Sequence, residues 1–225
     1  MNILSHYFLD AKAGKPYYNA GLVMPDLMGS FRRGWKPARS APDISLKPEF
    51  KEFSEGMQQH QMVDRQFHSS AFFTNEIPFI RKVLEQNGLK LPGVRLFFVA
   101  HIMLELMLDR LILLDSNKSA DLFYHDIEAI DINEVNAFFD PGLNEGGHSF
   151  SDFFTRFREA KYIYNYVKDD DFIYALNRIM KRASQPVFEG DSVVDQLKKS
   201  IFEVETHLAP VYLEHFEELK QKLIS

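Results

Sequence analysis

Four of the eight histidines in this chain are followed four residues later by a carboxylate: His6/Asp10, His60/Asp64, His101/Glu105 and His148/Asp152. With 32 Asp and Glu among 225 residues, chance supplies roughly one such pair. Residues four apart share a helix face, so an imidazole and a carboxylate at that spacing can hold one cation together. Imidazole nitrogen with carboxylate oxygen suits borderline-to-hard divalent ions. The chain has no cysteine, so any metal site must be built from His, Asp, Glu and water.

The pairs differ in weight. His148/Asp152 spans a turn-rich break and a helix start, where the spacing has no geometric meaning. In EGMQQHQMVDRQFH, His60 and Asp64 share a stripe with Gly56 and His68; taken alone, a solvated helix pair fits them as well. In LFFVAHIMLELMLDRLILL, residues 96 to 114, His101 and Glu105 share a stripe with Asp109 in an almost wholly apolar segment. Burying such groups without partners costs several kcal/mol, so something must face them. Metal ligation and a buried hydrogen-bonded pair both answer that need. Asp109, beside Arg110, reads either as the third member of that polar trio, half of a cation site, or as the helix approaching solvent. Asp26, a lone acid in GLVMPDLMGSF, reads as a helix-start residue near Pro25 or as a ligand or catalytic acid. His125, His207 and His215 read as surface or structural.

The elements that must carry these groups are helical. A helix is expected near Pro25 in residues 21 to 31, then a Pro/Gly/Ser-rich loop to about residue 48, a helix over 48 to 70 and another over TNEIPFIRKVLEQNG. LPGVRLFFVAHIMLELMLDRLILLD, residues 91 to 115, is expected as a long buried helix with Pro92 near its start. SADLFYHDIEAID and INEVNAFFD are shorter, SDFFTRFREAKYIYNYV and DDDFIYALNRIMKRAS amphipathic, and the last helical stretch bends or breaks at Pro210. Residues 1 to 12 are open between strand and helix. The expectation is one all-α domain over 1–225, a compact bundle of seven to ten helices. The net charge of −6 argues against general nucleic-acid binding. No signal peptide or membrane span is read, so a cytoplasmic protein is expected. Oligomeric state is not legible.

Taken in order, these segments resemble the acyl carrier protein phosphodiesterase family. That family opens with a segment like MNFLAHLHLA; MNILSHYFLD keeps Met1, Asn2, Leu4, His6 and Leu9. Its GNLLADFVRG-like stretch is echoed by GLVMPDLMGSFRRG, with Gly21, Leu22 and Asp26, and a block like GIHMHRRIDVLTD by GMQQHQMVDRQFH, with Gly56, His60 and Asp64. A block like LDVMWDHFLSRHW lies where this chain has AHIMLELMLDRLI, and YVKDDDFIYALNRIMKRA mirrors a C-terminal stretch. The departures are local. Gln58 and His68 replace a histidine and an aspartate, and an Asp-x-x-x-Asp-His pattern becomes His101-x-x-x-Glu105-Leu106.

The resemblance implies an HD-domain-like helical phosphodiesterase that releases 4′-phosphopantetheine from holo acyl carrier protein with a divalent ion, manganese first, with iron, magnesium and zinc as alternatives. His6, Asp26, His60, Asp64, His101 and Glu105 would surround one or two ions, with Asp26 and His68 as catalytic candidates. An acidic carrier would meet the basic segment FRRGWKPAR through Arg32, Arg33, Trp35, Lys36 and Arg39; a solvated loop with the tryptophan packed on the body is the alternative there. Lys181 and Arg182 either extend this basic patch or cap a helix C-terminus. Two further readings stay open: a phosphohydrolase of another small phosphoester, and a carrier-binding homologue without catalysis.

Overall fold

The structure, a computed structural model, describes residues 1–32, 34, 47–139, 144–145 and 148–224. It is all-α. The helices are α1 (Ile3–Asp10), α2 (Pro16–Gly21), α3 (Met24–Phe31), α4 (Pro48–His68), α5 (Ala71–Gln86), α6 (Leu96–Asp115), α7 (Lys118–Ala129), α8 (Ile132–Phe139), α9 (Phe150–Ala160), α10 (Asp169–Arg182), α11 (Asp191–Leu208) and α12 (Tyr212–Ile224), with a 3-10 helix at Tyr162–Val167. A two-residue antiparallel bridge pairs Asn144–Glu145 with His148–Ser149.

The described residues therefore hold more helices than the expected seven to ten, because punctuation cuts the N-terminal third finely. Gly14, at φ 71°, turns the chain between α1 and α2. Proline opens α2, α3 and α4 within their first two positions, where its missing N–H costs nothing. The segment SDFFTRFREAKYIYNYV, expected as one helix, breaks at Lys161, whose left-handed backbone (φ 43°, ψ 34°) ends α9 and starts the 3-10 turn. Helix α5 starts ahead of the expected TNEIPFIRKVLEQNG, at Ala71, capped by Ser70, whose hydroxyl accepts from Phe73 N at 3.1 Å. The break at Pro210 is present between α11 and α12.

Helix α6 is the axis. It is apolar on nearly every face, as a helix packed on all sides must be, and it contacts α1, α5, α7, α10, α11 and the 3-10 turn. Aromatic rings fill the space around it; Phe53, Phe67, Phe123, Phe154, Phe172 and Phe216 are essentially inaccessible. Among the described residues no helix is long and apolar enough to cross a membrane.

Candidate metal centre

Two devices set the site's geometry. The first fixes α1. Its leading backbone N–H groups lack intrahelical acceptors, and Asp109 of α6 receives them. Leu4 N and Ser5 N donate to Asp109 at 3.1 and 2.7 Å, the Ser5 hydroxyl at 2.6 Å and Asn2 Nδ2 at 2.8 Å. A carboxylate at a helix N-terminus also meets the positive end of its dipole. The second device fixes α4 against α2. A Cβ built on Gly21 would stand 3.0 Å from Gly56 Cα and run into Phe53 O, and one on Gly56 would run into Tyr18 O. The two helices thus touch backbone to backbone at this crossing.

These devices bring four helices to one place. Helix α1 contributes His6, α3 contributes Asp26, α4 contributes His60, Asp64 and His68, and α6 contributes His101 and Glu105. Two clusters result, His6/Asp26/His60 and His68/His101/Glu105. In the second, His68 Nε2 lies 2.9 Å from His101 Nε2 and 3.3 Å from Glu105 Oε1, and His101 Nε2 lies 3.0 Å from the same oxygen. Ligands about 2.0–2.1 Å from a tetrahedral zinc stand roughly 3.3 Å apart, so this triangle has close to the edge lengths of a coordination face. In the first cluster the His6 and His60 rings stack at 3.9 Å, and His60 Nε2 is 3.9 Å from Asp26 Oδ1. Asp64 links the two, with Oδ1 3.7 Å from His6 Nε2 and Oδ2 3.6 Å from His68 Nδ1.

Ring orientation suits coordination. His60 Nδ1 donates to Leu22 O and His68 Nδ1 to Asp64 O, each at 2.8 Å. That arrangement turns each Nε2 into the site, the usual outer support of a metal-ligating imidazole; the Nε2 of His68 meets His101 and Glu105 there. Both ring nitrogens of His6 and Asp26 Oδ2 are buried with no hydrogen-bond partner among the described residues, an expensive state unless something else satisfies them.

A positive group already sits among the carboxylates. The amino group of Met1 lies 2.7 Å from Asp64 Oδ1 and 3.2 Å from Glu105 Oε1. Burial works against its charge, but Glu105, Asp64 and Asp26 outweigh burial and hold its pKa near 10. Burial likewise opposes ionisation of Glu105 and Asp64. Yet Glu105 is held well below the carboxylate range by that ammonium, His101 and His68, and Asp64 is lowered by His6 and the ammonium. Burial pushes Asp26 up to about 8, against the pull of the Met1 ammonium. Burial also drives His6 down to about 3 and His60 to about 4, so both imidazoles are neutral and free to ligate. His68 is raised, chiefly by its hydrogen bond to Glu105.

The structure brings His6, Asp26, His60, Asp64, His68, His101 and Glu105 together. His68 stands within the second cluster, beside His101 and Glu105, and not one turn beyond the site. The local pair His6/Asp10 does not form: Asp10 accepts from Gln59 Nε2 at 2.9 Å, and His6 turns to Asp64. Asp109 does not approach solvent. It is fully buried, and the stripe it shares with Glu105 is the one sign of that role in the sequence. His215, read as surface or structural, is buried against Phe72 at 3.9 Å; His207 is partly exposed and pairs with Glu76 at 2.8 Å. Arg32 sits at the C-cap of α3. Arg33, Trp35, Lys36 and Arg39 lie outside the described residues.

Fold and site together define an all-helical protein with a buried histidine–carboxylate centre. No family model, curated protein or solved structure matches the chain.

Proposed function

We propose that this protein is a metal-dependent phosphodiesterase, with holo acyl carrier protein as its substrate. One observation carries the metal part: histidines and carboxylates from four separate helices converge, with both His6 nitrogens and Asp26 Oδ2 lacking a hydrogen-bond partner among the described residues, around a place that already attracts a positive group. The ordered motif resemblance supports the phosphodiester and the carrier.

Manganese, iron, zinc or magnesium would be held by His68, His101 and Glu105, with His6, Asp26 and His60 able to hold a second ion and Asp64 between them. A divalent ion there supplies Lewis-acid stabilisation of phosphoryl oxygens and lowers the pKa of an attacking water. The chain's residues do the rest. Leu22 O and Asp64 O aim the imidazoles of His60 and His68, and the half-buried His68, His101 and Glu105 leave that cluster open to water and substrate. Asp26, carrying the orphaned Oδ2 and raised by burial, is placed to hand a proton to the departing serine oxygen.

The test is direct. The full chain purified with manganese should hold the ion stoichiometrically and melt at a higher temperature than the apoprotein. Incubated with holo acyl carrier protein, it should remove the mass of the phosphopantetheine arm. His101→Ala should lose metal and turnover together while keeping its helical spectrum. No bound metal and no phosphodiester hydrolysis with added manganese would overturn the reading. Hydrolysis of small phosphodiesters with the carrier left intact would retain the chemistry and remove the carrier.

A further inference from the structure

Behind Asp26 lies a cavity of about 400 Å³ bounded by α3, α9, the 3-10 turn and α10, a size within the range of small-molecule sites. Its contents are unusual for a packing defect. Phe153, Phe157, Tyr162 and Tyr166 line it as an aromatic wall, and Arg178 and Arg182 border it from α10. The two guanidinium groups are one helical turn apart, a spacing at which like charges repel. Among the described residues neither has a hydrogen-bond or ion-pair partner, whereas Arg110 has both Glu205 and Asp169. Arg178 and Arg182 are both exposed at the cavity rim; partial burial and the neighbouring Arg178 charge lower the pKa of Arg182, against Tyr162, Tyr166 and Asp26. Asp171, the acid on the same rim, lies 3.9 Å from Lys168. Asp26 belongs both to the cavity and to the metal cluster, so whatever fills the cavity reaches the reacting centre.

Two unpaired guanidiniums side by side match an oxyanion of charge near −2, and arginine forks bind phosphate oxygens in pairs. A phosphomonoester carries about that charge at neutral pH, and a phosphodiester only one. We infer that Arg178 and Arg182 bind the phosphate of an organic phosphomonoester whose organic part lies on the Phe153–Tyr166 aromatic wall. This rests on the phosphoester chemistry proposed above. The monoester can be the product left by diester cleavage or a small substrate in its own right; the charge match is the same.

The experiment is calorimetric titration of the full chain, without added metal, with phenyl phosphate and with inorganic phosphate. Phenyl phosphate should bind, more tightly than inorganic phosphate, and R178Q/R182Q should weaken it roughly tenfold or more with an unchanged melting curve. No binding to the wild-type chain, or equal binding to the double variant, overturns the inference. With manganese present, hydrolysis of phenyl phosphate assigns it as substrate. Competitive inhibition of bis(p-nitrophenyl) phosphate cleavage without hydrolysis assigns it as a product mimic. His101→Ala separates this from the metal reading: it should keep phenyl phosphate binding while losing metal, and retained turnover in that variant would sink the metal reading alone.

Discussion

Asp109 shows how one side chain fixes another's position. Burial pushes its carboxyl up to about 7, while four donors pull the other way. Every contact is with a donor, which is the environment of an ionised acceptor. Asp109→Asn puts an amide NH2 against those N–H groups and should cost about 2 kcal/mol, read as a lower urea midpoint at constant slope. It should also weaken metal binding, since α1 carries His6. Glu at this position would be too long for the clasp. The His60/Asp64 and His101/Glu105 pairs were legible in the sequence because their spacing is local. Asp109 was misread because its partners lie more than a hundred residues away and are mostly backbone and small polar groups, which leave no periodic signature. His68 was a candidate from the stripe it shares with His60 and Asp64, but its place beside His101 depends on how two helices cross.

At the scale of elements, the α2–α4 crossing sets the height of α4 and with it three site residues. Gly56→Ala must push Tyr18 O away, and overpacking of this kind costs about 1–3 kcal/mol. The expected result is a lowered thermal midpoint together with a reduced metal affinity; a neutral Gly56→Ala would show that the crossing has slack. Both glycines stood in the sequence beside their site residues, at Gly21 five positions before Asp26 and Gly56 four before His60, but nothing local said that they meet. The long helices were readable from periodicity: α4 and α10 match their expected spans to within a few residues, while α6 starts at Leu96, past the Pro92 expected near its start. The short helices α3, α7 and α8 were expected too; the divisions that make α2 and the 3-10 turn were not. The break at Lys161 comes from a residue in an uncommon left-handed conformation that no glycine announced, and it is this break that turns Tyr162 and Tyr166 toward the cavity.

For the whole molecule, acid stability depends on histidines buried in the neutral form. His215, far in sequence from the histidine–carboxylate clusters and packed on Phe72, is lowered by burial to about 4, and neither ring nitrogen has a hydrogen-bond partner among the described residues. A group whose folded pKa is depressed contributes stability above its unfolded pKa and loses it as pH falls toward the folded value. The wild-type chain should therefore lose up to about 3 kcal/mol between pH 6.5 and 4 from this residue. His215→Leu should flatten that part of the profile in urea melts at a series of pH values; an unchanged difference between the two proteins would show that the imidazole is charged or solvated. Arg110 acts at the same scale, joining α6 to α10 and α11 through Asp169 at 2.9 Å and Glu205 at 2.6 Å and to the 3-10 turn through Tyr166 O at 3.0 Å. Arg110→Met should cost about 2–3 kcal/mol, less than a fully buried pair because both acids are partly exposed. The cavity beside Asp26 has a last consequence for access. Its exposed rim is one helix, α10, through Tyr174, Arg178 and Arg182, so the side chains that meet solvent at its mouth are an aromatic ring and two cations.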